Sequence, residues 1–148
     1  MKRSLTIALF AILTSVLSLT PVHADSHDGT KQQALVILTS GSLQTQGMAM
    51  VLSNAIQEQG ADLEILLCDE AGDLALKTTT NQRLQPRDVS PEMIMVNLMN
   101  NGASVNVCAL YLPNSEHTEA DLRDGIGQAM PPAIGAKMLD TSVRVFSF

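Results

Sequence analysis

The chain has 148 residues, a formal net charge of −6 with histidines neutral, 3% aromatic residues and two cysteines. That length fits a single domain once a targeting segment is set aside. An acidic, aromatic-poor surface lacks the basic patch and stacking platforms that a nucleic-acid partner requires, and it is equally unsuited to anionic lipid.

The first residues read as an address. Lys2 and Arg3 form a positive start, residues 5–19 an apolar run, and Val22-His23-Ala24 a small-residue cleavage site. This is the order of a secretory signal peptide, and the run falls short of the roughly 20 apolar residues of a membrane span. The expectation is cleavage after Ala24 and a periplasmic or secreted product without stable membrane insertion. An uncleaved anchor is the alternative. Asp25, not a cysteine, follows the cut, which does not fit a lipoprotein. Losing Lys2 and Arg3 leaves the remainder more acidic still. Residues 25–33 (DSHDGTKQQ) are polar and aperiodic, a loose arm before a domain of residues 34–148.

Residues 34–38 (ALVIL) form an unbroken apolar run, which suits a strand covered on both faces. Thr39-Ser40-Gly41-Ser42 turns the chain into a helix of about four turns. Met48, Val51, Leu52, Ala55 and Ile56 recur there at helical spacing, and Gly60 ends it. The turn has neither the lysine of a P-loop nor a G-x-G-x-x-G pattern, so a plain βα turn is favoured over an anion site.

The second strand, residues 63–68 (LEILLC), ends in Cys68, and residues 69–73 (DEAGD) make an acidic turn. Hard carboxylate oxygens and a soft thiol rarely serve one ion, so a short solvated helix over residues 71–77 is expected instead of a metal site. Residues 78–89 read as a surface loop carrying Arg83 and Arg87. Loops of this length are uncommon and often functional.

Ser90-Pro91-Glu92 has the cap, proline and acid of a helix start. Met93, Ile94, Val96, Leu98 and Met99 carry that helix to Asn101-Gly102. A third strand follows, with Val105 and Val107 alternating and Cys108 at its end, before Pro113-Asn114 breaks the chain. Thr118 and Asp121 resemble a capping box on a short helix. A brief strand at 126–129, a helix from Pro131-Pro132 through Leu139 and a closing strand at 143–146 complete the chain. This order predicts a three-layer α/β/α sandwich with a mainly parallel five-stranded sheet.

Ligands and chemistry gather at the carboxyl ends of strands in such sheets, which makes Cys108 the leading candidate. Two readings stand: a small buried hydrophobe or a functional thiol. His117 lies nine residues further on and is a candidate partner for a nucleophile, although a lone loop histidine is more often solvated. The chain has no G-x-S-x-G, H-E-x-x-H or C-x-x-C, so no metal and no cofactor are expected. Met48-x-Met50 and Met93-x-Met95 suggest copper(I) ligands, but helical residues two apart diverge by about 200°. Core packing is the better use.

Taken together, ALVILTSG, GADLEILLC, GASVNVCALYL and the closing DGIGQAMPPAIGAKMLDTSVRVFSF resemble the DsrE/DsrF-like fold of the Dsr and Tus sulfur-relay proteins over residues 34–148. The resemblance implies a parallel sheet with helices on both faces and homo-oligomers, trimers or hexamers. In active members, a cysteine just after the third strand carries a persulfide, and Cys108 stands at that position. The chain departs from them in lacking an Arg-Gly pair after the cysteine, and in its export signal where the relay partners are cytoplasmic. The implied sheet order sets the second and third strands side by side, bringing Cys68 near Cys108, and an oxidising compartment favours a disulfide between them.

Two functions follow. One is a thiol-based sulfur carrier with sulfurtransferase-like activity, taking sulfur at Cys108 from a donor protein and passing it to an acceptor. Arg83, Arg87 or the amino end of a following helix would then lower the thiol pKa. The other is a non-catalytic exported binding or assembly module with a structural Cys68–Cys108 pair.

Overall fold

The structure, a computed structural model, describes residues 31–148; the signal segment, its cleavage site, His27 and most of the arm lie outside the described residues. The chain runs β1 (Gln33–Leu38), α1 (Leu43–Glu58), β2 (Asp62–Leu67), α2 (Pro91–Asn100), β3 (Ser104–Val107), β4 (Gly127–Gln128), α3 (Pro131–Leu139) and β5 (Val143–Ser147). The strands pair in the order β4-β3-β2-β1-β5, and every pairing is parallel. No helix among the described residues is long and apolar enough to cross a membrane.

The apolar runs seen in the sequence are buried because this sheet is covered on both faces. On one face Val36, Leu38, Ile65, Leu67, Val105 and Val107 pack with Ala49 and Met50 of α1 and with Met95 and Leu98 of α2. On the other, Leu35, Leu66, Ala129 and Val143 form a smaller cluster closed by Ile134 of α3. Lys137 of α3 forms an ion pair with Glu64 of β2, tying that helix to the sheet. The three layers are therefore unequal: two helices cover one face and a single helix covers the other.

α1 turns a different face inward from the one its apolar spacing suggests. Gln46, Gly47, Ala49, Met50 and Ser53 are buried, while Met48, Val51 and Leu52 stay exposed at 55%, 44% and 41%. Small residues let the helix backbone approach its neighbours closely, and Gly47 leaves room only for the Leu84 side chain. The same happens in α2, where Met95 and Leu98 are buried and Met93 and Val96 face outward. Within each Met-x-Met pair, one sulfur is thus in the core and the other on the surface.

The expected solvated helix at 71–77 is a 3₁₀ helix, Asp69–Ala75, and it is not solvated: Ala71, Gly72, Leu74 and Ala75 are all buried. Ala71, Leu74 and Ala75 all join the main core. The loop over 78–89 is also tied down. Asn81 donates from its backbone N and from Nδ2 to the Glu92 carboxylate at 3.0 and 3.1 Å. Burial alone would raise the Glu92 pKa, but hydrogen bonds from Ser90 and Asn81 outweigh it and hold the carboxyl below its usual value. The short helix after Thr118 is one 3₁₀ turn, Glu119–Asp121, and its capping box is formed.

Candidate functional site: two thiols at the ends of adjacent strands

β2 and β3 end in the same way. Leu67 stands opposite Val107 in the parallel register, so the next residue of each strand is a cysteine beside a cysteine. The ladder continues through both: Cys68 N donates to Leu38 O at 2.9 Å, and Cys108 N to Leu67 O at 2.8 Å. Each cysteine carbonyl then accepts the bond that closes a turn, from Ala71 N at 3.1 Å and from Tyr111 N at 3.0 Å. The backbone at both thiols is accordingly fixed.

Side chains two apart on a strand share a face, so Cys68 lies on the face of Leu66. Both cysteines are half-buried and free, and both pack against the smaller cluster under α3. The Cys68 thiol is pushed up to about 12 from 9.0, first by burial, then by a hydrogen bond with the Cys108 side chain and by the charges of Cys108 and Asp69. Each cause disfavours a thiolate on Cys68. Cys68 therefore keeps its proton at neutral pH.

The loops that carry the thiols are clamped to each other. The Tyr111 ring lies against Gly72, and its hydroxyl donates to Asp73 Oδ1 at 2.6 Å. Burial first, and then the Asp73 carboxylate, push the phenol pKa up, so the proton stays in that bond. Gln128 Nε2 donates to Ala109 O at 2.9 Å and pins the residue after Cys108 to β4. Sequence reasoning missed Tyr111, Asp73 and Gly72. The signals were there, in the chain's one tyrosine and a glycine inside an acidic turn, but nothing local pairs them.

Arg83, Arg87 and His117 have other neighbours. Arg83 pairs with Asp88 of its own loop at 3.2 Å. Arg87 lines a groove with Val51, Val89 and Met93 on the other helical layer. His117 lies near Asp121, whose carboxyl is held down chiefly by the Thr118 backbone N–H and hydroxyl, with His117 adding a smaller effect. None of the three is among the groups acting on the Cys68 thiol. The helix expected to follow Cys108 is a turn leading to a three-residue 3₁₀ helix, Leu112–Asn114, too short to supply a helix dipole. At the turn before α1, the Glu70 carboxyl lies against Gly41. That placement of a negative charge supports a plain βα turn over an anion site. Among the described residues, no group of three or more His, Cys, Asp or Glu side chains could hold a metal ion.

No family model matches the chain, and no curated protein matches it either. Among solved structures, the crystal structure of the ychN protein from E. coli is similar, with a TM-score of 0.67 at 16% identity, covering 80% of this chain and 100% of that one. At that identity the likeness carries the fold and not the chemistry. The chain thus has the fold of the ychN protein: a five-stranded parallel sheet with helices on both faces.

Proposed function

We propose that this protein is an exported thiol-based sulfur carrier in which Cys108 accepts a sulfane sulfur as a persulfide. The observation that carries this reading is the placement of Cys108. It ends an inner strand at the carboxyl edge of an all-parallel sheet, half-buried, with a second, protonated thiol beside it. The resemblance to sulfur-relay proteins, whose active cysteine follows the third strand, supports the same residue. As a thiolate, Cys108 would attack a sulfane sulfur of the donor, form an S–S bond and expel the rest of the donor as the leaving group.

Intact mass after exposure to inorganic polysulfide tests the reading. Sampled directly after loading, wild type should gain one sulfur atom, about 32 Da, and Cys108→Ser should gain none while remaining folded. Uptake undiminished in Cys108→Ser would sink the proposal. The same spectrum on protein from the exporting host reads whether the chain begins at Asp25.

The second reading, a non-catalytic module with a structural disulfide, is favoured by the adjacency of the thiols. It requires the protein to be isolated already lighter by two hydrogens, with no reactive thiol. Either serine variant would then lose a similar stability, on the order of 2–4 kcal/mol.

We also propose a homo-oligomer. Met48, Val51, Leu52, Met93 and Val96 are exposed on α1 and α2, and apolar surface of this kind is commonly an assembly face. Light scattering should give a mass of several chains, and a single-chain mass at micromolar concentration would reject the idea.

A further inference from the structure

Resting on the carrier reading, we propose that Cys68 is a resolving thiol: once Cys108 holds a sulfane sulfur, Cys68 attacks Cys108 Sγ, releases the outer sulfur as hydrogen sulfide and leaves a Cys68–Cys108 disulfide. Three observations support it. The two cysteines continue paired parallel strands, and neighbouring strands lie about 4.8 Å apart, inside the 4.4–6.8 Å Cα separation a disulfide requires. Their side chains pack against one apolar cluster. The loops that follow them are fastened together by the bond from Tyr111 to Asp73, which holds the two strand ends side by side.

The step balances without an external oxidant. The bond between Cys108 Sγ and the outer sulfur breaks, and the bond between Cys68 Sγ and Cys108 Sγ forms. The outer sulfur leaves with the electron pair and is reduced from sulfane to sulfide, while the two cysteine sulfurs are oxidised to a disulfide. The Cys68 proton is given up to solvent as its sulfur attacks, and the departing sulfur takes a proton from solvent. Burial keeps that proton on Cys68 in the resting state, so resolution follows loading slowly, paced by the loss of the Cys68 proton. A thiol or dithiol reductant then returns the pair to its starting state.

What distinguishes this from a simple carrier is the fate of the loaded sulfur when no acceptor is present. Wild type, Cys68→Ser and Cys68→Ala are loaded with inorganic polysulfide, desalted and followed by intact mass together with a sulfide-trapping reagent. Wild type should lose its adduct, release sulfide and settle about 2 Da below the reduced chain. Peptide mapping should then join Cys68 to Cys108 in the wild type. Both variants should keep the one-sulfur adduct at least about tenfold longer and release no matching sulfide. A wild-type adduct as durable as that of the variants, with no disulfide in the map, would overturn the resolving role and leave the carrier intact. Variants that retain Cys108 and take up no sulfur would overturn the carrier reading itself, and the resolving role with it.

Discussion

Alkylated near pH 8, Cys68 should react about a thousandfold more slowly in the folded protein than in the denatured chain, because a shift of three pKa units leaves about a thousandth of the thiolate. The shift, from 9.0 to about 12, comes first from burial and then from Cys108 and Asp69. Removing Cys108 tests the division of causes. In Cys108→Ala, burial and Asp69 persist but the hydrogen bond and the charge of the partner are gone, so Cys68 should become faster than in wild type. The same shift has a stability consequence with a definite sign. A thiol whose folded pKa is raised binds its proton more tightly in the native state. Its contribution is complete below pH 9.0 and is lost as pH rises from there toward about 12. Stability of wild type should therefore fall across this alkaline window, and less steeply in Cys68→Ser. Equal alkylation rates for folded and denatured wild type would remove Cys68 from its buried, hydrogen-bonded place.

Gly72→Ala should cost about 1–3 kcal/mol, the range for forcing extra atoms into a packed site. A Cβ at Gly72 would run into the Tyr111 ring. The ring cannot swing aside freely, because its hydroxyl is held by Asp73 at 2.6 Å. The damage should reach the site, since Tyr111 closes the turn that begins at Cys108. Melting temperature reads the first effect, and the rate of sulfur uptake at Cys108 reads the second. A double-mutant cycle with Tyr111→Ala isolates the clash: the two losses should combine to less than their sum, because removing the ring removes what the new methyl strikes. Strict additivity would mean that the ring and Gly72 are not in contact.

Much of this fold was legible in the sequence because its signals are local. Unbroken apolar runs at 34–38 and 63–68 mark strands buried on both faces. Ser90-Pro91-Glu92 starts α2 where expected, Gly60 and Gly102 end α1 and α2 with φ of 88° and 97°, and Pro131-Pro132 opens α3. Cys108 was visible for the same reason, as a thiol at the end of a strand.

Only the tertiary structure decided which faces those elements use. The apolar stripe on α1 predicts Met48, Val51 and Leu52 inward, yet packing buries Gly47, Ala49 and Ser53. The helix settles where small residues allow close approach, a property of the partner surface that spacing along one helix does not encode. The acidic turn after Cys68 reads as solvated because its charges dominate locally; its three apolar side chains are buried once β3 and α2 provide a core to receive them. The clamp between Tyr111 and Asp73 joins residues 38 positions apart, and neither has a local pattern that names the other. For the two cysteines the division is clear. The sequence by itself placed a thiol at the end of each of two strands. Their meeting depends on the pairing of β2 with β3 and its register, because a slip of one residue would turn one thiol to the opposite face.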